Sequence, residues 1–269
     1  MDKRDLIIDD FSPIQPTVSP SGNEVIYKEY RPDLKLRGFV HCYWLLQSRH
    51  SVPEGFSYRV VADGCMDVYF NLNNPQQNSV TGFCKTFIDF PLGNTFKYVG
   101  IRFLPGMFPQ LFKVKASELT DRSEALELIV PSLSEAIKHG FEPSLSIPDL
   151  LIHLDQLFLE FLHNTWIDLD PRLYRAIGKI VEQKGMSRIE KDLDTGLSSR
   201  QLRRLFDYYI GTSPKTFSRV IRFQKLLNER VSKELHNVTD LGYYDQAHLI
   251  KEFKNFYGAT PAQVIQKSV

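Results

Sequence analysis

The sequence predicts an α+β chain. A β-rich N-terminal region, built as a small barrel or sandwich with helices, precedes an all-α region of two helix-turn-helix units joined by a linker helix. Three observations predict this. Short apolar, β-prone runs separated by turn residues fill positions 39–104. From Pro171 onward the apolar residues fall at helical spacing. Within that second half a pattern is written twice: Leu202-x3-Phe206-x4-Gly211-Thr212-Ser213-Pro214 returns 47 residues later as Leu249-x3-Phe253-x4-Gly258-Ala259-Thr260-Pro261.

A chain of 269 residues is long enough for two domains, each with a core of its own. We place the division at Asp168-Leu169-Asp170-Pro171, giving 1–167 and 168–269. Hydrophobic and charged fractions of 42% and 24% are those of an ordinary soluble protein. No apolar run reaches the roughly 20 residues that a membrane span needs, and the opening MDKRDLIIDDFSP carries acids where a secretion signal is apolar. The expected location is cytoplasmic, with no membrane partner. Cys42, Cys65 and Cys84 form no CxxC pair and read as reduced structural thiols. The net charge of +1 conceals an asymmetry: residues 171–269 hold 18 Lys and Arg against 10 Asp and Glu, whereas the rest holds 15 against 22. A basic end on an acidic body is the electrostatic footprint of nucleic-acid binding at one end.

Taken in order, residues 1–37 read as irregular, with Pro13, Pro16, Pro20 and Pro32 interrupting any long element. Phe39–Leu46 is a β-prone run. Tyr58–Val61 and Met66–Leu72 follow, joined by the turn dipeptide Asp63-Gly64, and Asn73-Asn74-Pro75 is a second turn. Thr95–Phe103 is a further strand, closed by Pro105-Gly106. Phe108–Phe112 reads as a short helix, and Ser123–Ile137 as a helix broken or kinked near Pro131. Ile147–Trp166 is amphipathic, with Ile147, Leu151, Leu154, Phe158 and Phe161 alternating steps of four and three. That seam suits packing on its own domain and equally a homodimer interface. Asp170 caps the next helix, with Pro171 in its first turn.

The helical half contains the chemistry. Ser187–Thr195 is the supporting helix of the first unit, and Gly196 its turn. Ser198 caps a helix whose inner face is Leu202, Leu205 and Phe206, and whose outer face is Ser199, Arg200, Arg203 and Arg204. Arginine can grip guanine O6 and N7 with two hydrogen bonds or pair with phosphate. In the second unit Asp245 caps a helix that exposes Gln246, His248 and Lys251 over Leu249 and Phe253. Glutamine suits adenine, and lysine suits guanine or phosphate. Pro214–Asn228 links the units and sets their spacing; if its Arg219 meets only phosphate, replacing it should matter less than replacing the outer-face residues, and uniformly across sequences.

These residues resemble the AraC/XylS family of bacterial transcription regulators. The resemblance is carried by Gly196 to Phe206, by Gly211-Thr212-Ser213-Pro214, by Gly242 to Leu249 through Phe253, and by Gly258-Ala259-Thr260-Pro261. It spans about residues 170–266. It implies a sequence-specific regulator, with double-stranded DNA and RNA polymerase as partners and no cofactor. By the resemblance, Arg200, Arg203 and Arg204 match base-facing positions of the first unit, and Gln246, His248 and Lys251 those of the second. Both supporting helices depart from the family pattern. Asp192 and Val238 stand where a small residue is usual, and the second helix, around Lys233–Asp240, is short by about two residues.

The first half is similar to the cupin-like β-rich domains attached to some regulators of this family, through Val61-Ala62-Asp63-Gly64-Cys65 and Gly100–Gly106. Such domains bind a small effector, dimerise, or both. Tyr43, Trp44, Tyr69 and Phe70 are candidates to line an effector cavity, with Arg59 or Arg102 orienting a polar group. His41 and His50 are the only histidines before His139, too few for a cupin metal cluster. No P-loop, GxSxG, HExxH or dinucleotide fingerprint occurs, so an enzyme is not expected. Two other accounts remain open: a regulator controlled by a protein partner, and an effector-modifying enzyme fused to a DNA reader.

Overall fold

The computed structural model describes residues 11–15, 24–186, 193, 195–228 and 242–267, with 265–267 described by backbone alone. Its N-terminal half is an antiparallel sheet and its C-terminal half is helical, the α+β order that the sequence predicts.

The strands, numbered along the chain, are β1 (Val25–Tyr30), β2 (Val40–Ser48), β3 (Ser57–Val60), β4 (Met66–Asn71), β5 (Asn74–Thr81), β6 (Ile88–Pro91), β7 (Lys97–Phe103) and β8 (Ser123–Ala125). Six of them pair in the order β1-β2-β7-β4-β5-β8. β3 and β6 form a separate ribbon. The large sheet is open, so the architecture is a sandwich of sheet and ribbon rather than a closed barrel. Pleating sends alternate residues to opposite faces. One face carries Val68, Phe70, Val99, Ile101 and Phe103 to the main core. The other carries Tyr27, Trp44, Leu46 and Tyr98 toward the ribbon, where they pack with Tyr58 and Val60.

Several expectations are corrected. Residues 25–30, read as irregular, form β1, because the segment Val-Ile-Tyr-Lys-Glu-Tyr between prolines is long enough to pair with β2 along its whole length. Asp63-Gly64 does not close a hairpin. β3 and β4 belong to different sheets, and the Gly64 turn (φ +88°) carries the chain between them. The polar run after Asn73 is strand β5, which pairs with both β4 and β8. The break read near Pro131 is observed, since a helix over Leu126–Ile129 ends before it, but the helix does not begin at Ser123. Ser123 opens β8, and Pro131 sits in the first turn of a helix of its own, where its missing N–H costs nothing.

The helices are α1 (Met107–Phe112), α2 (Leu126–Ile129), α3 (Pro131–Gly140), α4 (Ile147–Asn164), α5 (Pro171–Glu182), α6 (Ser199–Tyr209), α7 (Pro214–Asn228), α8 (Gln246–Tyr257) and α9 (Pro261–Lys267). The seam of α4 faces its own chain. Leu154 and Phe158 are buried, and the Phe158 ring meets Phe103 edge-on at 5.6 Å between centroids. The supporting helices expected at 187–195 and 233–240 lie almost wholly outside the described residues.

The two halves share one core. A continuous cluster of buried apolar side chains runs from the sheet through α4 into α5–α8. Phe83 after β5 meets Phe217 of α7, and Tyr174 of α5 reaches Met107 of α1. Gln224 of α7 donates to the Ala62 carbonyl at 2.8 Å. Its carbonyl oxygen accepts from the Ile14 backbone at 2.7 Å. A side chain at Gly64 would crowd the Phe217 ring, so glycine serves there both the left-handed turn and the close approach of α7.

Candidate nucleic-acid interface and ligand cavity

Helix α6 begins at a reciprocal cap. The Ser198 hydroxyl accepts from Gln201 N at 3.3 Å, and the Gln201 side chain accepts from Ser198 N at 3.0 Å. This fixes where the helix starts and therefore its rotation. Leu202 and Phe206 are buried, Leu205 half-buried, and Ser199, Arg200, Arg203 and Arg204 exposed. The exposed arginines line a groove of about 1460 Å³. Its far wall includes Lys85 and Lys115 from the N-terminal half. Lys115 also pairs with Asp207 of α6 at 3.2 Å.

Helix α8 is capped by Asp245, whose carboxylate accepts from His248 N at 2.6 Å. Leu249, Phe253 and Phe256 are buried, while Gln246, His248 and Lys251 are exposed. His248 is partly engaged within the protein: its ring lies edge-on to Tyr243, and its Nε2 is 3.7 Å from Glu252. Glu252 itself is buried and receives Arg219 Nε and Arg222 Nη2, each at 2.7 Å. Arg219 therefore ties the linker helix α7 to α8. The residue that sequence reasoning missed is Glu252, an acid on the inner face of an otherwise apolar stripe.

Between the large sheet and the ribbon lies a cavity of about 350 Å³. Of the six candidates for such a site, Trp44, Tyr69 and Arg102 line it. Tyr43 and Phe70 do not, because each neighbours a lining residue on its strand and so faces the opposite side of the sheet. The Tyr43 hydroxyl donates to Asp155 of α4 at 2.9 Å, and Phe70 packs on Phe141. Arg59 pairs with Asp89 at 2.7 Å and lies over the Phe87 ring, away from the cavity. Tyr27, Tyr58, Asp63, Asp67, Phe90 and Tyr98 complete much of the wall. Alternation was the available signal: Asp67 and Tyr69 stand two apart on β4 and share a face. The Trp44 indole lies flat over β7 because its cross-strand partner is Gly100, where any side chain would overlap it.

Arg102 is buried and fully engaged. Its Nε and Nη2 donate to the two oxygens of Asp67 at 3.2 and 3.0 Å. Its Nη1 donates to Glu29 at 3.1 Å and to the Tyr27 hydroxyl at 3.3 Å. Asp63 lies 3.2 Å from Nε and also accepts from Gln15 and from Cys65 N. Burial pulls the Arg102 pKa down, but Asp67, Tyr27 and Asp63 raise it further, so the guanidinium stays charged. Burial pushes Asp67 up to about 6, against the lowering effect of Arg102 and with the help of Asp63. The hydroxyls of Tyr58 and Thr81, both on the wall, are buried without a hydrogen-bond partner among the described residues.

Behind the cavity, the donor atoms of Glu29, His41 and Cys42 lie within 4.8 Å of one another. Sequence spacing does not reveal this group. Its Glu29 carboxylate is already held by Arg102, and burial pushes the Cys42 thiol up, away from the thiolate that a metal needs, so the group does not resemble a metal centre. All three cysteines are buried and unbridged. Among the described residues no helix is long and apolar enough to cross a membrane.

Residues 194–267 match the family described as a helix-turn-helix domain, and residues 28–125 match a domain family of unknown function, DUF6597. An uncharacterised HTH-type transcriptional regulator of Haemophilus influenzae is 34% identical over 105 residues, which are 37% of this chain and 35% of that protein. The match thus spans about a third of the relative's length. Among solved structures, apo ToxT of Vibrio cholerae is similar over 92% of this chain and 99% of its own, with 12% identity and a TM-score of 0.44. ToxT of the same species with bound unsaturated fatty acid gives 10% identity and a TM-score of 0.36 over 92% and 97%.

Proposed function

We propose, from the premise that the C-terminal region is a helix-turn-helix domain of the AraC type, that this chain is a sequence-specific transcription regulator reading double-stranded DNA with α6 and α8. One observation carries the proposal. Two capped helices of matching pattern bury Leu and Phe anchors and leave Arg200, Arg203, Arg204, Gln246 and Lys251 in solvent. Helix α7, clamped by Glu252, holds them in fixed relation, the requirement for reading two successive groove segments without a second chain. RNA polymerase is then the target of its action, in the cytoplasm.

The test is a binding-site selection on the full chain, followed by titration of variants. Arg203→Ala and Gln246→Ala should each lose about 1–3 kcal/mol on the selected site, chiefly as lost discrimination. Unchanged affinity and unchanged preference in both would place the recognition faces elsewhere.

The cavity supports control by a small effector rather than by a protein partner alone. A ligand shifts an equilibrium only by binding one arrangement more tightly, and the wall is connected to the DNA-reading half. Asp63 lies on the wall, and its neighbour Gly64 packs against Phe217 and Ile221 of α7. Gln15 also lines the cavity, and its neighbour Ile14 bonds Gln224 of α7. An occupant that moves Asp63 or Gln15 therefore acts on the helix that spaces α6 from α8. Thermal-shift screening of the full chain against metabolites tests this, since a specific occupant must stabilise the folded state.

A further inference from the structure

We propose that the cavity between sheet and ribbon takes an organic ammonium ion, a protonated amine carrying an apolar body; this rests on reading the cavity as the effector site. Three features select that chemistry.

The first is charge. Three carboxylates, Asp63, Asp67 and Glu29, surround the single guanidinium of Arg102. Asp63 and Asp67 are on the wall itself. A lone buried arginine would invite a carboxylate ligand. Here its Nε, Nη1 and Nη2 are all spent on protein acceptors, and the excess charge at the wall is negative. A second anion would meet that excess in a partly enclosed site, whereas a cation would offset it.

The second is the aromatic lining. Trp44 lies between Tyr27 and Tyr69, with ring centroids 6.3 Å from each, and Tyr98 and Phe90 close on Tyr69 at 6.2 and 5.9 Å. Faces of this kind attract a cation through the ring quadrupole, most strongly where water is excluded. Their apolar area also suits the ligand's body.

The third is the pair of orphaned hydroxyls. Tyr58 Oη and Thr81 Oγ1 are buried on the wall with no partner among the described residues. Buried polar groups are rarely left so. Each can donate or accept, so they favour a ligand with a hydrogen-bonding head over a wholly apolar one or a quaternary ammonium. At about 350 Å³ the space is at the small end of ligand pockets, enough for a single-ring amine.

The experiment uses the full chain with Trp166→Phe, leaving Trp44 as the sole tryptophan and reporter. Three probes of one size are titrated: phenethylammonium, 3-phenylpropanoate and 3-phenylpropanol. Saturable quenching by the ammonium is expected, with the other two weaker by about tenfold or more. Asp67→Asn should weaken the ammonium by a similar factor. Because that change also unpairs Arg102, Tyr69→Leu and Tyr69→Phe provide a second arm: the leucine variant loses affinity and the phenylalanine variant keeps it. Equal or tighter binding of the carboxylate or alcohol overturns the ammonium assignment and leaves the effector cavity standing. Ammonium binding indifferent to both Asp67→Asn and Tyr69→Leu overturns it too. If no probe of any charge changes fluorescence or melting temperature, the effector reading fails as well.

Discussion

At the scale of single residues, Asp67 concentrates the physics of the N-terminal half. It is half-buried, hydrogen-bonded by Arg102 and by Trp44 Nε1 at 2.8 Å, and still raised to about 6. Burial raises it more than the pairing with Arg102 lowers it, and repulsion from Asp63 adds to the rise. A carboxyl whose folded pKa lies above its unfolded value of 3.8 binds its proton more tightly when folded. Its contribution to stability is therefore fully present below about pH 4 and is lost as pH rises through 6. A protonated-carboxyl infrared band titrating near pH 6, absent from Asp67→Asn, is the expected signature; no band above pH 5 would show that the ion pair wins after all. At this scale the sequence is legible only in part. It offers Tyr43 with Trp44 and Tyr69 with Phe70 as neighbours, and a strand can turn only one of each pair to a given face. Choosing between them requires knowing which face the ribbon covers. The role of Arg102 is equally hidden, since Glu29, Asp63 and Asp67 come from three separate segments.

At the scale of elements, α6 and α8 are legible in the sequence because their signals are local: a capping residue, a Leu-x3-Phe anchor, a glycine and a proline. β1, β5 and β8 are not, because each is a short or polar segment that becomes a strand only through its neighbours. The link between α7 and α8 is likewise tertiary. Glu252→Gln keeps the shape but removes the charge facing Arg219 and Arg222, and Arg222 also donates to the Gly242 carbonyl at the turn before α8. Loss of about 1.5–3 kcal/mol is expected from these charged hydrogen bonds, the lower end being favoured by Arg219's partial exposure. Chemical denaturation measures it. DNA affinity of the folded variant should fall at long two-unit sites and little at single half-sites, because the spacing of the helices is what loosens. In α4, Leu154 is fully buried against its own sheet. Leu154→Ala should cost about 2–5 kcal/mol, and Leu154→Glu should unfold the chain. A folded, monomeric Leu154→Glu protein derived from a dimeric parent would instead make the seam an interface between copies.

At the scale of the whole molecule, the division proposed near residue 168 is not a boundary of packing. Phe206 and Phe217 stack edge-on beneath the recognition helix, and Phe217 also meets Phe83 of the sheet half. Thr120 donates to the Gly211 carbonyl at 2.6 Å, in the turn between α6 and α7. Cutting there would expose the part of α7 that meets the other half, where Phe217 packs on Phe83 and Phe217 and Ile221 lie beside Gly64. Domains that share a core unfold together, because neither half keeps its apolar burial when the other melts. The full chain should therefore melt in one calorimetric transition, with van't Hoff and calorimetric enthalpies in agreement. Residues 168–269 expressed alone should be less stable than within the chain. On the proposed reading the same continuity links the cavity to the DNA face: an amine that fills the cavity should raise the one transition, and a DNA duplex should raise it too. Two resolved transitions, with the amine moving only one and DNA only the other, would mean that the halves fold independently. Control of DNA reading by a cavity occupant would then have to pass through something other than the packing of Gly64 on α7.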